Sequence, residues 1–282
     1  MTTRATEPIP LWEQQARHWT RVKAPLRPSG EDLRRAQQEV DRWVARGGRS
    51  TSGLVLGVTP ELVGLNWPEG RRVLAADLSR PMIRGVFSGS KAGNARSFAL
   101  LADWSALPLA DRSVGLVLGD GCFVLVGQEA GRLVAAGVRR ILEAEGSFLI
   151  RVFVRPGTAE RPGTVRDDLF AGHFGNFHVF KFRLLMSLVD GAGNVRVAEA
   201  YEFFRERCGD PGSLARRLGW PVEEVRTIEA YRDQRAVYWF PTPEEFLETV
   251  GGEFGLEETL TPRYEMGDRC PIFVFRPRRD RG

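Results

Sequence analysis

Short apolar runs alternate with segments of helical period along most of this chain. Gly53–Leu56, Arg72–Ala76, Ser97–Leu101, Val114–Leu118 and Ser147–Val154 each read as a buried strand. Between them a short helix is expected over Pro60–Leu65 and another from Arg80-Pro81. A longer one is expected over Glu129–Glu143, with Leu133, Val134, Val138, Ile141 and Leu142 inward and Gly146 beyond its end. Alternation of this kind predicts a parallel sheet with helices on both faces. After Pro156-Gly157 the pattern changes. Residues 157–240 carry Phe170, Phe174, Phe177, Phe180, Phe182, Tyr201, Phe203 and Phe204 with little strand alternation, and read as a helical insertion. Thr242 then caps a helix that starts at Pro243 and runs to Gly251-Gly252. Leu256–Leu260 and Ile272–Phe275 read as two last strands around a loop. The fold class expected is therefore α/β: a doubly wound, mostly parallel sheet of seven strands carrying a helical insertion.

Ahead of the first strand, Leu11, Trp12, Ala16 and Trp19 have near-helical spacing, and residues 1–10 read as frayed. Ser29 with Asp32 forms a capping box for a helix carrying Leu33, Ala36, Val40 and Val44, which stops at Gly47-Gly48. Four stretches result: N-terminal helices over 1–48, a sheet core over 49–156, the insertion over 157–240 and closing elements over 241–282.

Composition narrows the class. The 282 residues are 43% hydrophobic and 27% charged, ordinary values for a globular protein. No apolar run reaches the ~18 residues of a spanning helix, and Met1–Pro10 lacks the apolar core of a secretion signal. The net charge of +4 is a weak argument for nucleic acid. The basic residues are almost all Arg, with only Lys23, Lys91 and Lys181 as Lys, which reads first as a coding bias. The run Arg276 to Arg281 reads as a solvated tail. Cys122, Cys208 and Cys270 are scattered and odd in number, so buried free thiols in a reducing cytoplasm are expected, and no metal site.

The candidate chemistry gathers where strands end. An apolar strand meets Gly57, and a helix begins at Thr59-Pro60-Glu61 with Thr59 in the N-cap position. Free backbone N–H groups would face the carboxyl end of that strand, where open parallel sheets bind ligands. Asp77 lies 20 residues after Gly57, at the end of the second strand, and suits the two hydroxyls of a ribose. Asp103 and Trp104 end the third strand, and Asp120-Gly121 end the fourth. Each acid alone would pass as a cap or turn residue; one acid after each of three successive strands points to a nucleoside. No G-x-G-x-x-G is present, which argues against a dinucleotide.

These residues carry a resemblance. The order LxLGxTPEL, VLAxDxSxxMI, ADWxxLPLxDxSxxLVLGDG and LxxxGxFLIRVF, over about residues 50–155, resembles class I S-adenosylmethionine-dependent methyltransferases. It looks most like a bacterial subgroup with Thr-Pro-Glu in the first motif. The resemblance implies S-adenosylmethionine as cofactor, with Gly57, Val58 and Thr59 at its methionine end and Asp77 on the ribose. Leu78 and Met82 would flank the adenine, with Asp103 and Trp104 at its edge, and Asp120 and Gly121 between cofactor and acceptor. Residues 1–48 would form a lid in which Arg27 meets the methionine carboxylate, unless Arg27 is simply a surface residue. The first motif departs from the family's glycine-rich form, since Gly57 is followed by Val58, Thr59, Pro60 and Glu61.

On the acceptor side, methyl transfer requires alignment, exclusion of water and sometimes a base. His173 and His178, in the insertion, are the candidate bases, with packing or surface roles as the alternative. Tyr201, Tyr231, Tyr238, Trp239 and Phe240 suit either an acceptor pocket or the insertion's core. The leading expectation is a methyltransferase acting on O or N of a small molecule. An RNA or protein methyltransferase and a non-catalytic S-adenosylmethionine-binding accessory protein are the alternatives, and the absent glycine fingerprint argues against a nicotinamide oxidoreductase.

Overall fold

The computed structural model describes residues 11–47, 50–87 and 96–278. The expected fraying of residues 1–10, the Gly48 stop and the tail beyond Arg278 lie outside them. Helices α1 (Leu11–His18) and α2 (Gly30–Ala45) precede an alternating run of β1 (Ser52–Leu56), α3 (Pro60–Val63), β2 (Arg72–Asp77), α4 (Arg80–Val86) and β3 (Arg96–Leu101). The run continues with β4 (Val114–Asp120), α5 (Gly127–Ile141) and β5 (Leu142–Arg151). Next come α6 (Pro162–Phe170), α7 (Phe177–Ser187), β6 (Asn194–Arg196), α8 (Val197–Arg207), α9 (Pro211–Leu218), α10 (Val222–Val225) and β7 (Val237–Trp239). Helix α11 (Pro243–Val250) and strands β8 (Phe254–Leu260) and β9 (Ile272–Pro277) close the chain.

Seven strands form one sheet in the order β3-β2-β1-β4-β5-β9-β8, and β6 and β7 pair separately. Strands β1 to β5 are parallel; β9 runs antiparallel to both β5 and β8. The order reverses at β1, so the crevice above the β1 and β4 ends is the topological switch point where ligands bind in such sheets. Side chains alternate across the sheet. Leu54, Leu56, Val117 and Phe148 pack beneath α5 and α11, against Val134, Val138 and Phe246. Val55, Leu116, Leu118 and Leu149 face α2 and α3, against Val40, Trp43 and Leu62. On this second face Gly53 makes room for the Trp67 ring, which would lie 2.5 Å from an added Cβ. A third core, around Phe177, Phe180, Phe204 and Ile228, lies within residues 157–240.

Local capping explains where several elements begin. Ser29 and Asp32 form a full capping box on α2, and Thr242 with Glu245 forms another on α11. Four readings need correction. Helix α5 ends at Ile141 and the chain enters β5 directly at Leu142, so Gly146 lies inside a strand, beside the irregular pairing between Val114 and Leu116. Leu133 is 61% exposed rather than inward, because the buried stripe of α5 runs through Gly131, Val134, Ala135 and Val138. Thr59 occupies the N-cap position of α3 but makes no capping hydrogen bond, and that helix is a single turn. Arg276 is no tail residue: it lies on β9 and pairs with Glu257 and the buried Glu39. No described helix is long and apolar enough to cross a membrane. Cys122, Cys208 and Cys270 are free thiols, with Cys122 and Cys270 buried.

Candidate active site

At the carboxyl edge of the sheet lies a cavity of about 880 Å³, of a size that takes a small ligand. Strand β1 delivers Gly57, Val58 and Thr59 to its wall. Gly57 has φ +94°, a conformation costly for any residue with a Cβ, while its N–H donates to the Ala76 carbonyl at 2.7 Å. The Trp104 indole N–H donates to the same carbonyl at 2.6 Å. The ends of β1, β2 and β3 are thereby tied at one point.

Asp77 ends β2 and also lines the cavity. One carboxylate oxygen accepts from the Ser79 N–H at 2.7 Å, and no cation pairs with it among the described residues. Burial pushes its pKa up to about 6, against the opposing pull of that hydrogen bond. Beside it Leu78 is 67% exposed, and Leu101 across the rim is 45% exposed. Two large apolar side chains thus border an open mouth, while Met82 on α4 is buried behind them. Asp103 follows β3 and accepts from the Ser105 N–H and hydroxyl, which hold its carboxyl below the usual carboxylate range. Trp104 is fixed beside it.

Asp120 and Gly121 come from the end of β4. The Asp120 carboxylate is buried and receives the Arg151 Nε at 2.5 Å. Arg151, only 2% exposed, also donates to the Tyr264 hydroxyl at 2.9 Å and lies 3.4 Å from Asp32 on α2. Burial raises the Asp120 carboxyl and the arginine opposes it. One guanidinium therefore joins β4, β5, α2 and the loop before β9 beneath the cavity floor.

Three site expectations are corrected. Arg27 does not line the cavity: its guanidinium pairs with Glu61 at 2.5 Å, donates to the Trp19 carbonyl and lies over the Trp19 ring. The acid in the first turn of α3 claims it. His173 lies outside the cavity wall, largely exposed, and contacts Asp168 at 3.2 Å. His178 is fully buried, also outside the wall, with Nε2 2.9 Å from the Arg21 carbonyl. A carbonyl only accepts, so Nε2 carries the proton and the ring joins α7 to the segment after α1. Burial, first, and the Lys181 charge hold its pKa down to about 3.

A pH prediction follows from His178. Its unfolded ring binds a proton below about 6.5, whereas the folded ring resists until about 3. Its contribution to stability is thus lost as pH falls below 6.5. Substitution His178→Phe should flatten the acid limb of the stability profile relative to the parent, in denaturant melts across that range. Parallel profiles would show that the ring titrates normally.

The aromatic set divides. Tyr231, Tyr238 and Phe240 line the cavity, whereas Tyr201 accepts from Arg232 at the surface and Trp239 lies outside the wall. From the N-terminal segment Trp12, Trp19 and Leu26 join the lining. A residue that sequence reasoning missed is Lys181, 1% exposed and facing the same space. The available signal was its rarity: in a chain whose bases are nearly all Arg, a lysine sits within a Phe-rich helix. Among the described residues no group of three or more His, Cys, Asp or Glu could hold a metal.

No family model matches the chain, and no curated protein matches its sequence. Among solved structures it is similar to a protein of Rhodobacter sphaeroides described as a Zn-dependent alcohol dehydrogenase, with TM-score 0.54 and 16% identity over 95% of this chain and 97% of that one. It is also similar to the CcbJ methyltransferase of Streptomyces caelestis, with TM-score 0.51 and 15% identity over 95% of this chain and 97% of that one. At such identity the likeness establishes the fold: a Rossmann-like methyltransferase sheet of seven strands.

Proposed function

We propose that this protein is an S-adenosylmethionine-dependent methyltransferase acting on a small molecule. The observation that carries the reading is Asp77: a buried carboxylate with no cation, on a cavity wall, at the end of the strand beside the switch point. Two ribose hydroxyls would supply the donors it lacks. The other residues fit the same nucleoside. Leu78, Met82 and Leu101 offer apolar faces for adenine, with Asp103 and Trp104 at its edge, and Gly57 presents backbone with no side chain toward the methionine end. Bound there, S-adenosylmethionine would supply a methyl group on a sulfonium. Asp120 and Gly121, which also line the cavity, would stand between the cofactor and an acceptor held by residues 157–240. We assign that segment to acceptor binding, residues 49–156 to the cofactor, and residues 1–48, through Trp12 and Trp19, to covering it. The Thr-Pro-Glu turn after Gly57 fits the bacterial subgroup that the first motif resembles, and the free thiols fit a reducing compartment.

Calorimetric titration tests the reading. S-adenosylhomocysteine should bind saturably with one site per chain, and NAD should give no comparable heat. Binding of NAD with no response to either adenosyl ligand would overturn it.

A further inference from the structure

The part of the cavity wall that residues 153–240 supply is almost wholly apolar, with Phe153, Phe182, Leu185 and Phe240. Its polar groups are the Lys181 amine and the hydroxyls of Tyr231 and Tyr238. The two tyrosines hydrogen-bond each other, and burial keeps both neutral. Lys181 Nζ donates to the Thr227 hydroxyl at 3.0 Å, and that hydroxyl donates onward to the Glu224 carbonyl at 2.7 Å. Thr227 thus uses its proton elsewhere and can only accept from the amine. The Tyr231 ring lies 5.2 Å from Nζ and the Phe177 ring 5.9 Å.

No anion pairs with this amine among the described residues. Of the carboxylates on the same cavity wall, Glu13 pairs with Arg17 and Asp120 with Arg151, while Asp77 and Asp103 accept from Ser79 and Ser105. On the packed elements Glu224 is ion-paired with Lys23, and Glu223 with Arg21 and Arg226. Besides the neutral Tyr231 and Tyr238, His18 and His178 feel this amine, and the charge on Lys181 lowers the pKa of each. A buried ammonium without a counter-ion is costly, so the site is short of one negative charge. An arginine could not answer that cost by losing its proton; a lysine can. A chain whose bases are nearly all arginine places one of its three lysines here.

We propose that Lys181 is the base that deprotonates the methyl acceptor, and that the acceptor is a flat, mainly apolar molecule bearing one acidic hydroxyl, a phenol or an enol. The proposal rests on the methyl-transfer reading above. In the step, the acceptor O–H bond breaks and its proton passes to Nζ. An oxygen lone pair forms the new bond to the methyl carbon, the carbon–sulfur bond breaks, and its electrons remain on sulfur as a neutral thioether. The ammonium returns its proton to solvent after product leaves. Burial pushes the Lys181 pKa down to about 7, so near neutral pH the amine is free to take up a proton. Before transfer, the phenolate and the ammonium form an ion pair.

4-Nitrophenol reports this directly, since its phenolate is yellow and its phenol colourless. With S-adenosylhomocysteine bound and the pH set below the dye's own pKa, the full-length protein should bind it as the yellow phenolate. Lys181→Met should bind it about tenfold or more weakly and without colour, while keeping its affinity for S-adenosylhomocysteine. Removal of a buried charge should leave this variant folded, and the parent should gain stability relative to it as pH rises from about 7 toward 10.5. Colourless binding to the parent, no dye binding at all, or equal colour in both proteins would overturn the proposal; the first two decide it without the variant. If S-adenosylhomocysteine itself fails to bind the parent, the methyl-transfer reading falls and this inference with it. If it binds and the dye result is negative, only the inference falls.

Discussion

Arg151→Met should cost about 3–5 kcal/mol of stability, the range for removing one partner of a buried ion pair. For a chain of this size that lowers the melting temperature by on the order of 10 °C. The reason lies in what the substitution leaves behind. Asp120 and Asp32, 7% and 4% exposed as side chains, would keep their carboxyls in the interior without the cation between them. Tyr264, which donates to Asp32 at 3.2 Å, would lose the guanidinium it accepts from. Because Arg151 is absent from the cavity wall, the loss is one of the floor's integrity before it is one of ligand contact. Adding Asp120→Leu to Arg151→Met should restore part of the stability, since the two changes touch one network and do not add. Thermal melts of the parent, both single variants and the double variant give the coupling directly. An Arg151→Met protein that melts within about 2 °C of the parent would show that the network carries little stability.

Asp77→Asn should move affinity and stability in opposite directions. The asparagine keeps the shape but loses the charge, and one of its two polar atoms can only donate. Charge-assisted hydrogen bonds contribute about 1.5–3 kcal/mol each, so affinity for S-adenosylhomocysteine should fall by tenfold or more (about 1.4 kcal/mol per tenfold). Folding should improve. Burial raises the Asp77 pKa to about 6, above the unfolded value of about 3.9. Its favourable share of stability is therefore present at acid pH and lost as pH rises through 6, leaving at neutral pH a cost of up to about 3 kcal/mol. Asn removes that cost. The parent should also bind S-adenosylhomocysteine more weakly below pH 6, where Asp77 takes up its proton, and the variant should show no such step. Unchanged affinity in Asp77→Asn would remove the ribose from this carboxylate, and a lower melting temperature at neutral pH would show that its burial does not cost stability.

Much of the fold is legible in the chain because its signals are local. Strands β1, β2 and β4 are apolar runs closed by Gly or Asp, and α2 and α11 announce themselves through capping boxes whose two residues lie three apart. The corrections concern properties that no local window contains. Gly146 reads as a helix stop because glycine usually is one; only the pairing with β4 reveals it inside a strand. The stripe on α5 can be drawn through Leu133 as readily as through Gly131 until the sheet selects a face. Helix α7 is buried on nearly all sides, so it has no polar face to betray the environment of Lys181. The same burial defeats the reading of His178: neutral-range titration makes a histidine attractive as a base, yet its surroundings push it to about 3. Arg27 and Arg151 find partners far along the chain, Glu61 for one and Asp120 and Tyr264 for the other. Gly57, Asp77, Asp103 and Asp120 on the cavity wall were readable because each ends or follows a strand, and strand ends in a parallel sheet converge on one edge.

A crystal structure of the full-length protein with S-adenosylhomocysteine tests the central claim most directly. It should place the ribose hydroxyls on the Asp77 carboxylate, adenine between Leu78 and Leu101, and the sulfur toward Asp120 and the pocket that holds Lys181. A ligand seated elsewhere, or a nucleoside in this cavity with its ribose away from Asp77, would contradict it.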